Sequence, residues 1–213
     1  MNIIWMRVLV IAVALVIWFR TQKLIARKIP GLGDIGDAVH RLTADWHRYF
    51  IDHEKSADRA LIASSLCIDA FGLTLIAAAV FGASFAPFLG ILIVFGLRQI
   101  SQLCCTLPPP PGIIWRDPGF PTVLVTYDVS NDFFFSGHTA LAVLGAIEIC
   151  HIAPWWLGAA AVVIAVGEVV IVLVLRAHWT MDVITGAFAA WVAADLAARL
   201  APFVDGWLAS TGG

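Results

Sequence analysis

Six long apolar stretches separated by polar connections dominate the pattern of this chain. They cover approximately residues 2–19, 60–82, 86–106, 138–153, 155–177 and 180–203. A helix needs about 20 apolar residues to cross the hydrocarbon core of a bilayer, and each stretch comes near that length. The pattern therefore predicts an all-α integral membrane fold, a bundle of six transmembrane helices.

The first long connection, residues 20–59, predicts an interfacial amphipathic helix after the first span. It carries eight of the thirteen Lys and Arg residues of the chain. Apolar and aromatic residues recur within it at mostly helical spacing, namely Val39, Leu42, Trp46, Tyr49 and Phe50. An excess of Lys and Arg is typical of cytoplasmic loops, so we expect this connection on the cytoplasmic side and both termini on the other.

Three histidines of this connection raise the question of a metal site. His40, His47 and His53 do not all share one helical face, and the surrounding segment is charged throughout. A solvated interfacial helix is therefore favoured over a metal site.

Composition agrees with a bilayer environment. Hydrophobic residues make up 61% of the chain, charged residues only 13%, and the mean hydropathy is +0.90, values outside the range of soluble domains. The net charge of −2 and the lack of a basic stripe exclude a nucleic-acid partner. The four cysteines have neither the spacing of a zinc site nor that of a disulfide framework.

The second long connection, residues 107–137, leads to the segment where we expect chemistry. It begins with the proline-rich run Leu107–Gly112, which favours an extended backbone. It ends in a Ser-Gly-His-Thr turn, residues 136–139, at the start of the fourth apolar stretch. A glycine allows close backbone approach, and the hydroxyls and amides at a helix amino terminus suit a phosphate oxyanion.

Two histidines and an aspartate form the strongest candidate for a catalytic group. The predicted fourth and fifth helices cross the membrane and return, so His178 comes back to the face at which His138 opens the fourth helix. His178 and Asp182 are spaced i and i+4, which puts them on one face of a helix. The aspartate can accept a hydrogen bond from one imidazole nitrogen and leave the other nucleophilic. A lone histidine at a membrane edge is ordinarily an interfacial residue, but this combination within apolar helices favours catalysis.

Other ionisable residues have ordinary explanations as well. Arg98 and Arg176 lie near predicted span ends, where an arginine commonly snorkels or anchors a helix. Asp132 is suited either to cap the turn into the fourth helix or to contact a cationic group. Glu168, in the middle of the fifth span, is compatible with a protonated carboxyl, a pair within the bundle or a proton relay.

These residues resemble the signatures of a known superfamily. The runs from Ser136 to His138 and from His178 to Gly186 resemble the second and third signatures of the type-two phosphatidic acid phosphatases. Within that superfamily, the segments 98–109, 132–139 and 176–183 are similar to motifs of the lipid headgroup transferase branch. That branch includes sphingomyelin synthases, inositol phosphorylceramide synthases and plant phosphatidylcholine:diacylglycerol cholinephosphotransferases.

The resemblance spans about residues 90–190 and implies a six-helix core with its site at one membrane face. It further implies that His178 attacks phosphorus to form a phosphohistidine-type intermediate and that Asp182 orients its ring. His138 then protonates the leaving group and later activates the acceptor. We expect residues 60–213 to form a five-helix catalytic membrane core. Residues 1–59 precede it with the first transmembrane helix and the polybasic interfacial segment, and the whole chain forms a single domain.

The chain departs from the phosphatase pattern where those enzymes hold phosphate. Val172 stands where they have an arginine, Phe135 replaces the usual proline, and their Arg-Pro signature is absent. Arg98 and Arg176 are the expected replacements, because a guanidinium can hold phosphate oxygens bidentately. The complete set of expected substrate-binding residues is Arg98, Asp132, Ser136, Gly137, Thr139 and Arg176.

The resemblance implies transfer of a phospholipid headgroup, such as phosphocholine or phosphoethanolamine, to a lipid alcohol such as diacylglycerol or ceramide. The expected partners are a phospholipid donor, a lipid alcohol acceptor and the bilayer, and neither cofactor nor metal is required because histidine and arginine can manage the phosphoryl charge. We expect a bacterial inner membrane with the site at its cytoplasmic face.

Two other functions fit parts of the pattern. A phosphatase or phospholipase of the same superfamily would use water as the acceptor, although the phenylalanine-rich turn at 133–135 favours transfer. A non-catalytic lipid transporter would use polar groups such as Asp69, Glu148 and Glu168 as a path, but the chain lacks an internal inverted repeat.

Overall fold

The computed structural model describes residues 3–25, 35–127 and 133–211, and every regular element within these ranges is an α-helix. The prediction of an all-α fold is therefore confirmed. In chain order the helices are α1 (Ile3–Ile25), α2 (Ala38–Leu42), α3 (Ala44–Asp52), α4 (Glu54–Phe81), α5 (Ala86–Cys104), α6 (Gly137–Ile152), α7 (Trp155–Val174) and α8 (Thr180–Thr211).

Five of these helices, α1, α4, α5, α7 and α8, are long and apolar enough to cross a membrane. The chain thus has the character of a multi-pass membrane protein. The remaining predicted span folds as α6, which is apolar but has only 16 residues. At 1.5 Å per residue it is about 24 Å long, whereas the hydrocarbon core is about 30 Å thick. By length and composition the described residues therefore hold five spans, one fewer than the sequence predicts.

The segment between α1 and α4 forms two short helices instead of one. Asp37 caps α2 by accepting from the backbone amides of Val39 and His40. His40 and His47 are only 6% and 3% exposed, so the expectation that they are solvated is wrong. His40 binds the His178 carbonyl in the connection between α7 and α8, and His47 binds the Val174 carbonyl at the end of α7, whereas His53 is exposed as expected.

Small residues let the central helices pack closely around α6. A Cβ atom on Gly145 of α6 would come within 2.5 Å of the Phe71 ring on α4, and one on Gly186 of α8 within 2.7 Å of the Ser136 carbonyl oxygen. Close approach through small residues is the usual way membrane helices associate. The second contact fixes the start of α8 against the start of α6.

A polar network joins α1, α8 and the turn between α4 and α5. Arg7 donates to the Gly82 carbonyl at 3.0 Å and lies 3.4 Å from the Asp205 carboxylate. Asp205 also accepts from the Ser84 hydroxyl and the Phe85 amide, each at 3.0 Å. This distal network lies at the end of the bundle opposite to the starts of α4, α6 and α8.

Candidate active site

The proline-rich loop docks against the connection between α7 and α8. The Trp179 indole donates to the Pro108 carbonyl at 2.9 Å, and an Arg176 Nη atom donates to the Pro111 carbonyl at 2.9 Å. The Ile114 amide continues this contact by donating to the Leu175 carbonyl at 2.8 Å. The loop after α5 is thereby held beside the segment that carries His178.

Asp69 of α4 anchors the same connection further along. Its two carboxylate oxygens accept from the backbone amides of Val123 and Leu124, both at 2.8 Å. Tyr127 adds a hydrogen bond between its hydroxyl and that of Ser65 on α4. The buried charge of Asp69 therefore has a structural use as an acceptor for loop amides.

His178 lies between α7 and α8 and is 8% exposed. Its Nδ1 is 3.1 Å from the Phe133 carbonyl oxygen and 3.7 Å from Asp182 Oδ2. A proton on Nδ1 is thus donated to the Phe133 carbonyl, which leaves the lone pair on Nε2. The Phe133 carbonyl thus fixes which ring nitrogen carries the lone pair, and it is a partner that the sequence pattern does not reveal.

Asp182 is fully buried in the first turn of α8. Its Oδ2 accepts from the Trp179 amide at 3.0 Å, and its backbone carbonyl accepts from the Ser136 amide at 3.1 Å. Its distance of 3.7 Å from His178 Nδ1 is longer than a hydrogen bond, so the expected direct bond to the ring is replaced by a nearby negative charge. Oδ1 has no hydrogen-bond partner among the described residues.

The Ser-Gly-His-Thr turn divides its four residues between structure and site. Ser136 is the N-cap of α6, and its hydroxyl accepts from the Thr139 amide at 3.2 Å. Ser136 and Thr139 are fully buried, whereas Gly137 and His138 line a cavity. Capping thus accounts for the serine hydroxyl, and the two middle residues face the space available to a substrate.

His138 presents its ring to this cavity beside an aromatic residue. Its ring stands edge-on to Trp115, with the ring centroids 4.9 Å apart. His138 Nε2 is enclosed, and no group in the described part of the chain hydrogen-bonds to it. Because His178 lines the same cavity, the structure brings together two histidines that are forty residues apart in the sequence.

Arg98 also lines the cavity, and Arg176 does not. The Nε atom of Arg98 donates to the Phe135 carbonyl at 2.9 Å, and a Cβ atom on Gly137 would lie only 3.1 Å from that Nε. The glycine therefore leaves room for the guanidinium beside the start of α6. Arg176 has a positive φ of 54° and holds the proline-rich loop. Asp132, another expected substrate-binding residue, lies outside the described residues.

The cavity has a volume of about 300 Å³. Arg98, His138 and His178 form its polar end, where Arg98 lies beside Gly137, the residue before His138. Apart from Gln22, Gln99 and Thr126, the rest of its lining is mainly apolar, and much of it comes from α1, α4 and α5, including Leu15, Trp18, Ile76, Phe88, Ile91 and Phe95. Such a cavity suits a ligand with a charged head and an apolar tail.

Glu168, which the sequence leaves open between several explanations, is paired within the bundle. Its carboxylate accepts from the Ser64 hydroxyl of α4 at 2.6 Å, and the residue is 2% exposed. It does not line the cavity with the two histidines. In the described residues no group of three or more His, Cys, Asp or Glu side chains is arranged to hold a metal ion.

Sequence reasoning missed the residues that support His178 from the surface helices. His40 Nε2 lies 3.0 Å from the His178 carbonyl oxygen, and its ring stacks on Trp179. Asp37 accepts from both the amide and the hydroxyl of Thr180, at 2.7 and 2.8 Å. Burial raises the pKa of Asp37, but the hydrogen bonds from Thr180 and His40 outweigh it and lower the pKa overall. The clearest signal for these residues in the sequence is Asp37, which stands just before a predicted helix, the typical position of an N-cap.

His47 extends this support to the end of α7. Its Nδ1 lies 2.8 Å from the Val174 carbonyl oxygen. Burial lowers the pKa of His47 below its usual value of 6.5, and the charges of Arg176 and His40 lower it further. The neutral ring is therefore the form that fits this position.

A family model described as AtPDCT1/2 matches residues 37–199, well over half of the chain. No curated protein and no solved structure matches this chain. The match begins at Asp37, includes both histidines and the Asp182 carboxylate, and ends within α8. The chain therefore belongs to the AtPDCT1/2 family, a family of lipid phosphotransferases named for phosphatidylcholine:diacylglycerol cholinephosphotransferase.

Proposed function

We propose that this protein transfers the phospho-headgroup of a phospholipid, phosphocholine above all, to the hydroxyl of a lipid alcohol such as diacylglycerol. The observation that carries the proposal is the cavity in which His138, His178 and Arg98 form the polar end of an otherwise apolar space. Membership of a lipid phosphotransferase family supports the same chemistry.

In the first step, Nε2 of His178 attacks the phosphorus of the donor lipid. A P–N bond forms while the P–O bond to the diacylglycerol oxygen breaks. His138, in its protonated form, gives a proton to that oxygen, and diacylglycerol leaves. The Phe133 carbonyl holds the Nδ1 proton of His178, and the Asp182 carboxylate, 3.7 Å away, stabilises the positive charge that the ring acquires.

In the second step, the hydroxyl of the acceptor lipid gives its proton to His138. The acceptor oxygen attacks phosphorus, a new P–O bond forms and the P–N bond to His178 breaks. Both histidines return to their starting protonation states, so one round of exchange neither consumes nor releases a proton. The exchange is reversible. Arg98, beside Gly137 at the start of α6, offsets the charge on the phosphoryl oxygens in both steps.

The same proposal covers the arrangement in the bilayer. The turn at Ala153 and Pro154 joins α6 directly to the spanning helix α7, which supports α6 as a sixth, short span. The short helices α2 and α3 then lie at the membrane surface beside the site. The basic residues of the first connection favour the cytoplasmic face for this surface. We also propose that the chain is related to the type-two phosphatidic acid phosphatases, on the resemblance of its histidine motifs.

The test is headgroup exchange by purified protein in vesicles. Phosphatidylcholine with a labelled phosphocholine group is mixed with a diacylglycerol of different acyl composition, and mass spectrometry follows the label. Wild-type protein should produce labelled phosphatidylcholine with the acyl chains of the added diacylglycerol, and His178→Ala should abolish that product. Without acceptor, a phosphocholine adduct of about one group per chain should accumulate on the peptide containing His178.

A matched control is His151→Ala, which removes an exposed histidine at the far end of α6. It should exchange headgroups at the wild-type rate. Water-soluble phosphocholine as the main product would replace the proposal with hydrolysis. Lipid movement without any change in headgroup, unaffected by His178→Ala, would replace it with transport.

A further inference from the structure

The apolar part of the cavity is lined mainly by three helices, α1, α4 and α5, and by the second connection, with Leu141 of α6 in addition. Trp18 of α1 and Phe95 of α5 contact each other with ring centroids 4.9 Å apart, and both line the cavity. Ile76 of α4 and Leu124 of the second connection complete the lining on the other sides. These residues line the same cavity as the two histidines at its polar end.

Two residues that line the cavity, Ile17 of α1 and Leu92 of α5, are 58% and 36% exposed. Both lie on helices that are long and apolar enough to cross a membrane. An opening between two such helices would meet hydrocarbon and not water, so the bilayer is the natural source of an apolar ligand.

We propose that this space between α1, α4 and α5 is the binding site for an acyl chain of the glycerolipid substrate. The inference rests on the proposed function, and it adds α1 as the outer wall of the substrate site although α1 precedes the family match at 37–199. The occupant follows from chemistry, because the lipid phosphate belongs at Arg98 and the histidines and its acyl chain needs an apolar surface directly below them.

One polar atom in the cavity wall indicates that the bound molecule carries a polar group, as a lipid does and a pure hydrocarbon does not. The indole nitrogen of Trp18 is buried and has no hydrogen-bond partner within the ranges that the structure describes. An indole N–H needs an acceptor when it is buried, and the ester carbonyl of a glycerolipid is an acceptor at the boundary between head and chain. Trp18 lies one turn before Gln22, which also lines the cavity.

Gly96 offers a way to fill the site without disturbing the helix packing. It lies on α5, lines the cavity two residues before Arg98, and a Cβ atom built on it meets nothing within 4 Å. A larger side chain there occupies space between the polar end and the deeper apolar walls. Gly167 of α7 is a matched control, since it is also helical, half-buried and without any atom within 4 Å of an added Cβ, but it is outside the cavity.

The experiment compares Gly96→Ala, Gly96→Leu and Gly167→Leu with wild-type protein in the exchange assay. Equal amounts of a long-chain and a short-chain phosphatidylcholine compete as donors, and the ratio of their kcat/KM values is measured. Gly96→Leu should lower the preference for the long chain about tenfold, since it displaces about two methylene groups from the apolar site. Gly96→Ala should lower it less, and Gly167→Leu should leave it unchanged.

A second readout does not depend on turnover. Phosphatidylcholine with a photoreactive group on one acyl chain should crosslink to peptides of α1 and α5 in wild-type protein, and this crosslinking should fall in Gly96→Leu. Crosslinking to α1 and α5 in a protein that transfers no headgroup would contradict the proposed function but still support the acyl site. An unchanged chain preference in folded Gly96→Leu, or crosslinks confined to other helices, would overturn the acyl site.

Discussion

At the scale of single residues, the ring of His178 has a backbone carbonyl as well as a carboxylate beside it. The Phe133 carbonyl lies closer to Nδ1 than the Asp182 carboxylate does, at 3.1 against 3.7 Å. The carbonyl can hold the proton, but it cannot neutralise a positive ring. In the proposed mechanism Asp182 therefore acts mainly as a fixed negative charge, and electrostatic effects are large at a buried position.

This division of roles predicts the effect of Asp182→Asn. The amide oxygen can still accept from the Trp179 amide, so the thermal midpoint should stay near that of wild type. Loss of the charge should lower the rate of headgroup exchange about 10²- to 10⁴-fold. The measurement is kcat for exchange together with thermal unfolding in detergent. An exchange rate equal to wild type in a folded variant would show that the charge is not needed.

The sequence predicted part of this site for a clear reason. The i, i+4 spacing and the return of the chain across the membrane are local and topological properties, so they place His178 near both Asp182 and His138. Phe133 and Trp115 lie in irregular segments and His40 lies on the short helix α2, and the position of each depends on tertiary contacts that no periodicity records. Arg176 looked like a phosphate ligand, but its direction is set by a left-handed backbone conformation that points it to Pro111.

At the scale of elements, α2 and α3 act as a clamp on the connection between α7 and α8. His40 binds the His178 carbonyl within that connection, whereas His47 binds Val174 at the end of α7 and Asp37 binds Thr180 at the start of α8. Amphipathic spacing predicted helices here, but it assigned the histidines to solvent because the pattern gives a polar face without saying what covers it. The clamp holds the segment from Val174 to Thr180, and with it the backbone of His178.

The clamp predicts a pH effect that belongs to His47. Its pKa is lowered in the folded protein, so the unfolded chain binds the proton more tightly. Stability is therefore complete above the unfolded pKa of about 6.5 and falls as the pH drops from there towards the folded pKa. The thermal midpoint of wild-type protein in detergent should decline over this interval more steeply than that of His47→Gln, which cannot be protonated.

The difference between the two pH curves isolates His47 from other titrating groups. His53→Gln is the matched control, because His53 is exposed and its ring contacts the nearby Tyr49, by a hydrogen bond to the Tyr49 carbonyl and by stacking. It should follow the wild-type curve. Parallel curves for wild type and His47→Gln would mean that the protonation of His47 is not coupled to folding.

At the scale of the whole molecule, polar contacts concentrate at the two ends of an apolar bundle. One end carries the histidine site and the clamp, and the other carries the distal network around Arg7 and Asp205. The network ties α1 to α8 and to the turn after α4, so it connects the first and last helices. It lies across the bundle from the site and should affect stability without affecting chemistry.

Arg7→Ala tests this separation. The substitution leaves the Asp205 carboxylate without its cation and removes the hydrogen bond to the Gly82 carbonyl. Because Asp205 is partly exposed, the cost should lie below the range for a fully buried pair, at about 2 kcal/mol. The thermal midpoint should fall by several degrees, whereas kcat of the folded fraction should stay near wild type. Arg199→Ala is the control, since its pair with Asp195 is exposed and should contribute only about 0.3–0.5 kcal/mol. A large loss of kcat in Arg7→Ala at a temperature where it is folded would contradict the separation.

The shortness of α6 has a consequence for the electric field at the site. It has 16 residues and its neighbour α7 has 20, so its first turn lies about 6 Å deeper than the end of α7 to which it runs antiparallel. The free amides of that turn form the positive end of a helix dipole. In the proposed arrangement, with α6 as a short span, these surroundings are less polar than the bilayer surface, so the same partial charge would attract an anion more strongly. The short helix would therefore draw the phosphate diester of the proposed lipid substrate to the level of His138.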